Sequence, residues 1–283
     1  MRWTAGDRGN IEDMRGRSSG MRVGSLGIGG LLVALVLSYV TGVDFLSLLG
    51  GGGESASVGT TGEPVQTSPQ EERMVDLVDA VAGDTQNTWA RLLGNRYERT
   101  QVALFRDAID SACGYSQAAT GPFYCPSDHK VYLDLGFFRE LSERFGAPGD
   151  FAQAYVVAHE FGHHIQNLLG LTARVQQDPR PGQASASVAL ELQADCYAGI
   201  WGHAASQKGR FAAGGVELEP GDAEEALRAA ASIGDDRLQR MSTGRVAPER
   251  FTHGSSAQRV EWFRRGFESG DPQRCDTFAR ATQ

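Results

Sequence analysis

Residues 155–169, Tyr-Val-Val-Ala-His-Glu-Phe-Gly-His-His-Ile-Gln-Asn-Leu-Leu, contain the pattern that decides the fold of this 283-residue chain. Successive residues of a helix turn by about 100°, so His159 and His163 lie on one face, one turn apart. Two imidazoles in that arrangement can bind one metal ion, and Glu160 on the adjoining arc can reach a water molecule at the ion. The spacing therefore predicts a metal centre with His159 and His163 as ligands and Glu160 as the general base.

The residues around this pattern predict that it lies in a single, mostly buried helix. Asp150-Phe-Ala-Gln153 is a capping-box start, and Gly170 is suited to end a helix, so the helix is predicted over residues 150–169. Apolar residues precede and follow the histidines, and buried polar side chains need partners. A metal ion would supply them, whereas a surface helix with solvated polar residues is the alternative.

A catalytic zinc site needs a third protein ligand, and the next predicted helix, residues 188–205, offers one. Glu191 and Asp195 are separated by four residues and share a face of that helix. Glu191 is the predicted third ligand, and Asp195 is the predicted acceptor of a histidine N–H behind the metal. Two solvated acids on an ordinary helix face would have the same spacing.

Two further features are candidates for substrate contact. His253, in Thr-His-Gly-Ser-Ser before the last long helix, is the predicted donor to the developing oxyanion, with a structural hydrogen bond as the alternative. Residues 130–135 are predicted to form the edge strand that pairs with an extended substrate.

The order of predicted elements indicates an α+β fold for residues 68–283, with a small sheet early and a mostly helical C-terminal part. Short β-prone runs occupy residues 102–105 and 131–135. A further helix is predicted to open at Asp222-Ala-Glu-Glu225, again with a capping box, and another to span residues 256–269.

The N-terminal part has a different composition and is predicted to attach the domain to a membrane. Residues 1–22 hold five arginines and three acids, and residues 23–43 carry no charge, which suits one transmembrane helix. The arginine-rich stub is predicted to be cytoplasmic, which places the domain after the flexible linker of residues 44–67 outside the cell membrane. A buried core helix and a cleaved signal peptide are the alternatives for residues 23–43.

The net charge of −8 repels phosphate backbones, so nucleic acid is not a predicted partner.

The four cysteines allow three pairings, and an extracytoplasmic domain permits disulfides. Cys113 and Cys125 flank one loop, which favours a bridge between them and leaves Cys196 with Cys275. Buried free thiols are the alternative.

Four stretches together resemble the bacterial neutral zinc metallopeptidase family: residues 121–128, 159–166, 191–199 and 251–259. The resemblance implies a zincin-like fold with one Zn²⁺ bound by His159, His163 and Glu191, and with Glu160 as the catalytic base. It also places Asp195 behind the metal, as in similar peptidases with a Glu-x-x-x-Asp helix.

The function implied is hydrolysis of a protein or peptide substrate by a membrane-anchored zinc peptidase, with metal-activated water as the nucleophile. The alternative is a binding or scaffold protein of the cell envelope that keeps a zincin-like domain without catalysis. Intact Glu160 favours the enzyme, because a purely structural metal site has no use for that carboxylate. The pattern indicates neither the oligomeric state nor the cleavage specificity.

Overall fold

A long helix begins at Pro69, directly after a serine N-cap. In the computed structural model, which describes residues 1–16, 67–117, 121–173, 175 and 180–281, helix α1 runs Pro69–Leu93. The Ser68 hydroxyl accepts a hydrogen bond from the Glu71 backbone N–H at 3.1 Å, and proline occupies the first helical position, where it has no N–H to leave unpaired.

The remaining elements follow in the order that an α+β fold requires. The strands are β1 (Ile11–Asp13), β2 (Val102–Phe105), β3 (Ala108–Ser111), β4 (Gly114–Gln117), β5 (Phe123–Cys125) and β6 (Lys130–Asp134). The later helices are α2 (Gly136–Glu143), α3 (Asp150–Leu168), α4 (Ala186–Ala205), α5 (Asp222–Ser232), α6 (Asp235–Thr243), α7 (Ser256–Ser269) and α8 (Phe278–Ala281). The predicted mixed fold, with a small sheet and a mostly helical C-terminal part, is confirmed.

The helix starts differ in how they are capped. Asp150 and Asp222 are the first helical residues of α3 and α5, after the glycines Gly149 and Gly221, and neither forms the predicted capping box. Their carboxylates instead lie in the first turn, where the helix dipole favours negative charge. A complete capping box occurs at the start of α7, between Ser255 and Gln258.

The strand order of the main sheet is β1-β2-β6-β5, with β5 antiparallel to β6 and the other neighbours parallel. The prediction that residues 130–135 form an edge strand is wrong, because β6 pairs on both sides. β5 lies at the edge instead. The two strands have only three and five residues, which leaves little alternation of polar and apolar side chains, so the sequence did not distinguish the inner position from the edge.

Helix α3 lies at the centre of the fold. It packs against α1, α4 and α5, and also contacts β5 and β6. The main core contains Phe151, Tyr155 and Ala158 from α3 together with Leu104 and Leu133 from the sheet. Because apolar neighbours cover most of α3, its polar side chains have to find partners inside the protein.

Both predicted disulfides are present. Cys113 pairs with Cys125, which ties the β3–β4 hairpin to β5. Cys196 of α4 pairs with Cys275, in the segment that follows α7. The alternative of free thiols is therefore wrong.

Residues 1–16 belong to the same folded unit as the domain, which corrects the prediction of a separate stub over residues 1–22. Ile11–Asp13 pair in parallel with residues 102–104 of β2. The Arg15 side chain is 2% exposed and lies 2.9 Å from Glu71 and 3.1 Å from Glu72. The sequence concealed this element because it is short, polar and separated from its partner strand by about ninety residues.

The predicted membrane span, residues 23–43, and all but the last residue of the predicted linker lie outside the described residues and stay predictions. Within the described part of the chain, no helix combines the length and the apolar composition that a membrane crossing needs.

Replacement of Arg15 by alanine is expected to lower the free energy of unfolding by about 2 kcal/mol, because it removes a buried guanidinium that pairs with the carboxylates of Asp13, Glu71 and Glu72. Urea denaturation followed by tryptophan fluorescence measures the loss. Arg144→Ala is the control, since that side chain is 66% exposed and its ion pair with Glu140 is on the surface. Equal losses in the two variants would show that residues 1–16 do not contribute to the stability of the domain.

Candidate metal centre

His159, His163 and Glu191 form a compact set of ligand atoms where α3 crosses α4. One ligand atom from each residue lies within 4.8 Å of the other two. Glu191 Oε2 is 3.2 Å from His159 Nε2, and Glu191 Oε1 is 3.5 Å from His163 Nε2. The three residues predicted as metal ligands are thus brought together at one point.

A glycine allows the two helices to come this close. A Cβ atom at Gly162 would lie 2.9 Å from the Cα atom of Ala194, which is closer than real Cβ contacts. Gly162 directly precedes His163 in the sequence pattern. Its lack of a side chain therefore sets the separation between the histidines on α3 and Glu191 on α4.

Asp195 fixes the orientation of His159. Its Oδ1 atom is 2.9 Å from His159 Nδ1, and a carboxylate can only accept there, so Nδ1 carries the hydrogen and Nε2 faces Glu191. Burial opposes protonation of His159, but the charges of Asp195 and Glu191 outweigh it and raise the pKa of His159 to about 9.

Gln166 has the same role for His163, and the sequence analysis missed it. His163 Nδ1 lies 2.9 Å from Gln166 Oε1, while the Gln166 amide donates to the Leu190 carbonyl at 2.6 Å. The amide orientation is assigned from that second bond, which makes Oε1 the acceptor. The sequence did contain a signal for this contact, because residues three positions apart, such as His163 and Gln166, are neighbours on the surface of a helix.

The arrangement of the ligand atoms fits a metal ion. When His159 is neutral, its single N–H is at Nδ1 and donates to Asp195. The lone pair of Nε2 then points toward the Glu191 carboxylate oxygen Oε2, at 3.2 Å. Two acceptors cannot satisfy each other, and a proton or a cation has to lie between them. Two imidazoles and a carboxylate are also the donor set of one class of catalytic zinc sites.

Glu160 lies beside the ligands but outside the set. It is 7% exposed, and burial raises the pKa of its carboxyl group, although the neighbouring His163 and His159 oppose the shift. Both Glu160 and the three ligands line one cavity of about 630 Å³. A carboxyl group with a raised pKa is better suited to take up and return a proton than an ordinary glutamate.

His253 also lines this cavity, on a loop before α7. Its Nδ1 is 3.2 Å from Asp235 Oδ1, and Asp235 Oδ2 accepts the backbone N–H groups of Thr252, His253 and Gly254. The hydrogen bond to Asp235 raises the pKa of His253, and this effect exceeds that of burial. The sequence analysis missed Asp235, which looks like one of many acids that begin helices.

His164 points away from the ligands, as its position on the helix predicts. Its Nε2 donates to the Glu98 carbonyl at 2.7 Å, and its Nδ1 accepts from the Tyr124 hydroxyl at 3.0 Å. Tyr124 is the middle residue of β5 and lines the cavity. His164 therefore connects the helix that carries the ligands to the edge strand beside them.

The rest of the cavity wall is mainly apolar. It includes Phe137, Phe145, Val156, Ile233 and Leu238. The ligands, Glu160 and His253 thus lie in an open depression with room for a peptide side chain.

Comparison with known proteins gives a family match along nearly the whole chain. A family model described as "Putative neutral zinc metallopeptidase" matches residues 1–278. The "Uncharacterized protein YpfJ" of Escherichia coli K12 is 43% identical over 305 aligned positions, covering 99% of this chain and all of the relative. The "Uncharacterized protein Rv2575" of Mycobacterium tuberculosis H37Rv is 46% identical over 221 positions, covering 76% of this chain and 75% of the relative. No solved structure matches the chain.

Proposed function

Because this chain belongs to the neutral zinc metallopeptidase family, we propose that it is a zinc-dependent endopeptidase whose single ion is bound by His159, His163 and Glu191. One observation carries the proposal. The three ligand atoms lie within 4.8 Å of one another, and the buried Glu160 carboxyl lines the same cavity. A cleft with a metal, a base and space for a peptide is what hydrolysis of an amide requires.

A bound zinc ion would polarise the scissile carbonyl and lower the pKa of a water molecule. Glu160 accepts a proton from the attacking water, whose oxygen bonds to the carbonyl carbon. The carbon–nitrogen bond then breaks, and Glu160 delivers the proton to the nitrogen of the leaving amine. The raised pKa of Glu160 supports both steps, because the carboxyl can hold the proton between them.

His253 is proposed to donate a hydrogen bond to the oxyanion that develops on the substrate. Its contact with Asp235 uses Nδ1, which leaves Nε2 as the donor to substrate. Protonation at Nε2 is favoured by the Asp235 carboxylate, which also raises the pKa of His253. Asp235 is itself held by three backbone N–H groups and is therefore a positioning residue for His253.

The proposed substrate is a protein or peptide that lies along β5. This strand has β6 on one side, and among the described residues no strand pairs with its other edge, where an extended peptide can add its own hydrogen bonds. The apolar wall of the cavity would then receive a side chain of the substrate.

Membrane attachment through residues 23–43 belongs to the same proposal. The alternative of a binding or scaffold protein has weaker support, because it assigns no role to a buried carboxyl beside three ligand groups.

Replacement of Glu160 by glutamine is expected to lower kcat/KM by at least 100-fold while zinc content is unchanged, because the amide cannot accept the proton. Cleavage of a peptide library, with zinc measured in the same samples, tests this. Glu140→Gln is the control, since Glu140 lines the same cavity but is exposed and is not beside the ligands. Activity retained in Glu160→Gln, or absent from the zinc-loaded protein, would refute the proposed mechanism.

Asp235→Asn is expected to move the alkaline limb of the pH profile to lower pH. The pKa of His253 is raised in the folded protein, so its protonated form persists to higher pH and is lost as pH rises through that value. Without the carboxylate, the loss occurs earlier. Asp236→Asn is the matched control, because Asp236 binds Ser256 rather than His253. Identical alkaline limbs in Asp235→Asn and in the unaltered protein would exclude this role for His253.

A further inference from the structure

Four hydrogen-bond donors converge on the carboxylate of Asp195, which is fully buried. Two come from the Tyr155 hydroxyl at 2.5 Å and His159 Nδ1 at 2.9 Å. The other two come from Arg259, whose Nε is 2.8 Å from Oδ2 and whose Nη2 is 2.9 Å from Oδ1. The Arg259 side chain is 3% exposed, so this ion pair is formed inside the protein.

We propose that Arg259 is a positioning residue of the metal centre. Arg259 holds the Asp195 carboxylate in the orientation in which its Oδ1 atom accepts the hydrogen bond from His159 Nδ1–H. The role rests on the proposed metal centre. The planar guanidinium binds both carboxylate oxygens at once, so it fixes the rotation of the carboxylate as well as its place. A buried ion pair of this kind adds little net stability to the folded protein. Orientation of the Asp195 carboxylate therefore accounts for the position of Arg259 better than stabilisation does.

The close packing of α7 on α4 brings Arg259 into contact with Asp195. A Cβ atom at Gly266 would lie 1.9 Å from the Cys196 carbonyl oxygen, and one at Gly199 would lie 2.1 Å from the Phe263 carbonyl oxygen. The two helices therefore touch backbone to backbone. The Cys196–Cys275 disulfide starts at the residue next to Asp195 and holds the segment after α7 to α4.

The proposal also predicts that lysine is a poor replacement for this arginine. An ammonium group is a point charge and cannot bind the two carboxylate oxygens through a rigid fork. It would keep the charge beside Asp195 but not the orientation of the carboxylate.

The test is the zinc affinity of the full-length protein, measured by competition with a chelator. Arg259→Gln is expected to weaken zinc binding about 10- to 100-fold, the usual effect of losing a group behind a metal ligand. Arg259→Lys is expected to recover only part of the loss. Arg265→Gln is the control, since Arg265 is on the same helix and pairs with Glu261, which is 53% exposed. The visible spectrum of the Co²⁺-loaded protein should change in Arg259→Gln and stay the same in Arg265→Gln.

If Arg259 affects zinc binding through Asp195, the loss of both side chains should cost no more than the loss of Asp195. The double variant Asp195→Asn with Arg259→Gln is therefore expected to bind zinc as tightly as Asp195→Asn alone. Unchanged affinity and spectrum in Arg259→Gln, or in Arg259→Lys if the glutamine variant does not fold, would overturn the role. Zinc binding without peptidase activity would refute the proposed function and leave the role of Arg259 standing. No zinc binding by the unaltered protein would overturn both.

A different set of contacts concerns the side of the membrane on which each end of the protein lies. Arg2 and Glu217 exchange both backbone hydrogen bonds, at 2.8 and 3.0 Å, and β1 pairs with β2 over three residues. The α-ammonium group of Met1 lies 2.9 Å from Glu219. These contacts come from two separate places, residues 1–2 and residues 11–13, and they reach two distant parts of the domain.

We infer that residues 1–16 and the domain from residue 67 onward lie on the same side of the membrane. A hydrocarbon core of about 30 Å would separate groups that are here in hydrogen-bonding contact. Residues 1–16 and the domain can therefore not lie on opposite faces of such a core. This inference differs from the predicted arrangement, in which a cytoplasmic stub and an extracytoplasmic domain lie on opposite sides.

A cysteine pair at Arg2 and Glu217 tests this in the full-length protein. Directly opposed, hydrogen-bonded residues have Cα atoms about 5.5 Å apart, a separation that a disulfide spans. After mild oxidation of cells that contain Arg2→Cys with Glu217→Cys, mass spectrometry is expected to find the two peptides linked within a monomer. Either variant alone should give no such link. Two free thiols in the double variant, or a link only between two chains, would overturn the inference.

Discussion

The closeness of α3 to α4 at Gly162 and Ala194 is the constraint on which the site depends. The two helices carry the predicted ligands on facing sides, and the distance between their axes decides whether the imidazoles and the Glu191 carboxylate can reach one ion. A side chain at position 162 would collide with the backbone of α4. The glycine is therefore a geometric requirement of the pattern, and the ligands on either side of it gain their positions from its small size.

A buried site built in this way also needs each polar group to have a defined partner. Asp195 and Gln166 each accept an Nδ1–H from one histidine, so that both Nε2 atoms face Glu191. Gln166 is held in turn by the carbonyl of Leu190 and by Gln193. Because a misplaced proton or a rotated amide would leave a buried donor or acceptor unpaired, the network has few alternative arrangements.

The sequence predicted the helical parts of this arrangement well, because helical periodicity is a local signal. The spacings from His159 to His163 and from Glu191 to Asp195 identified the residues that meet, and residues 256–269 coincide with α7. Features that depend on tertiary contacts were not predicted. The N-terminal strand, the inner position of β6 and the convergence of Asp235 and Arg259 on the site all join residues that are distant in the chain. Nothing in their immediate neighbours distinguishes them from ordinary polar residues.

The bridge between Cys113 and Cys125 gives the cavity a dependence on the redox state of its surroundings. Strand β5, which lines the cavity, is only three residues long, and β6 is its one partner among the strands that the structure describes. The bridge closes a loop between cysteines twelve positions apart, and such a loop is worth about 3 kcal/mol in chain entropy. In a reducing environment the disulfide would be absent. The backbone hydrogen bonds to β6 and the hydrogen bond from Tyr124 to His164 would then have to hold β5 in place. The shape of the cleft is thus tied to the thiol chemistry of the compartment in which the protein folds.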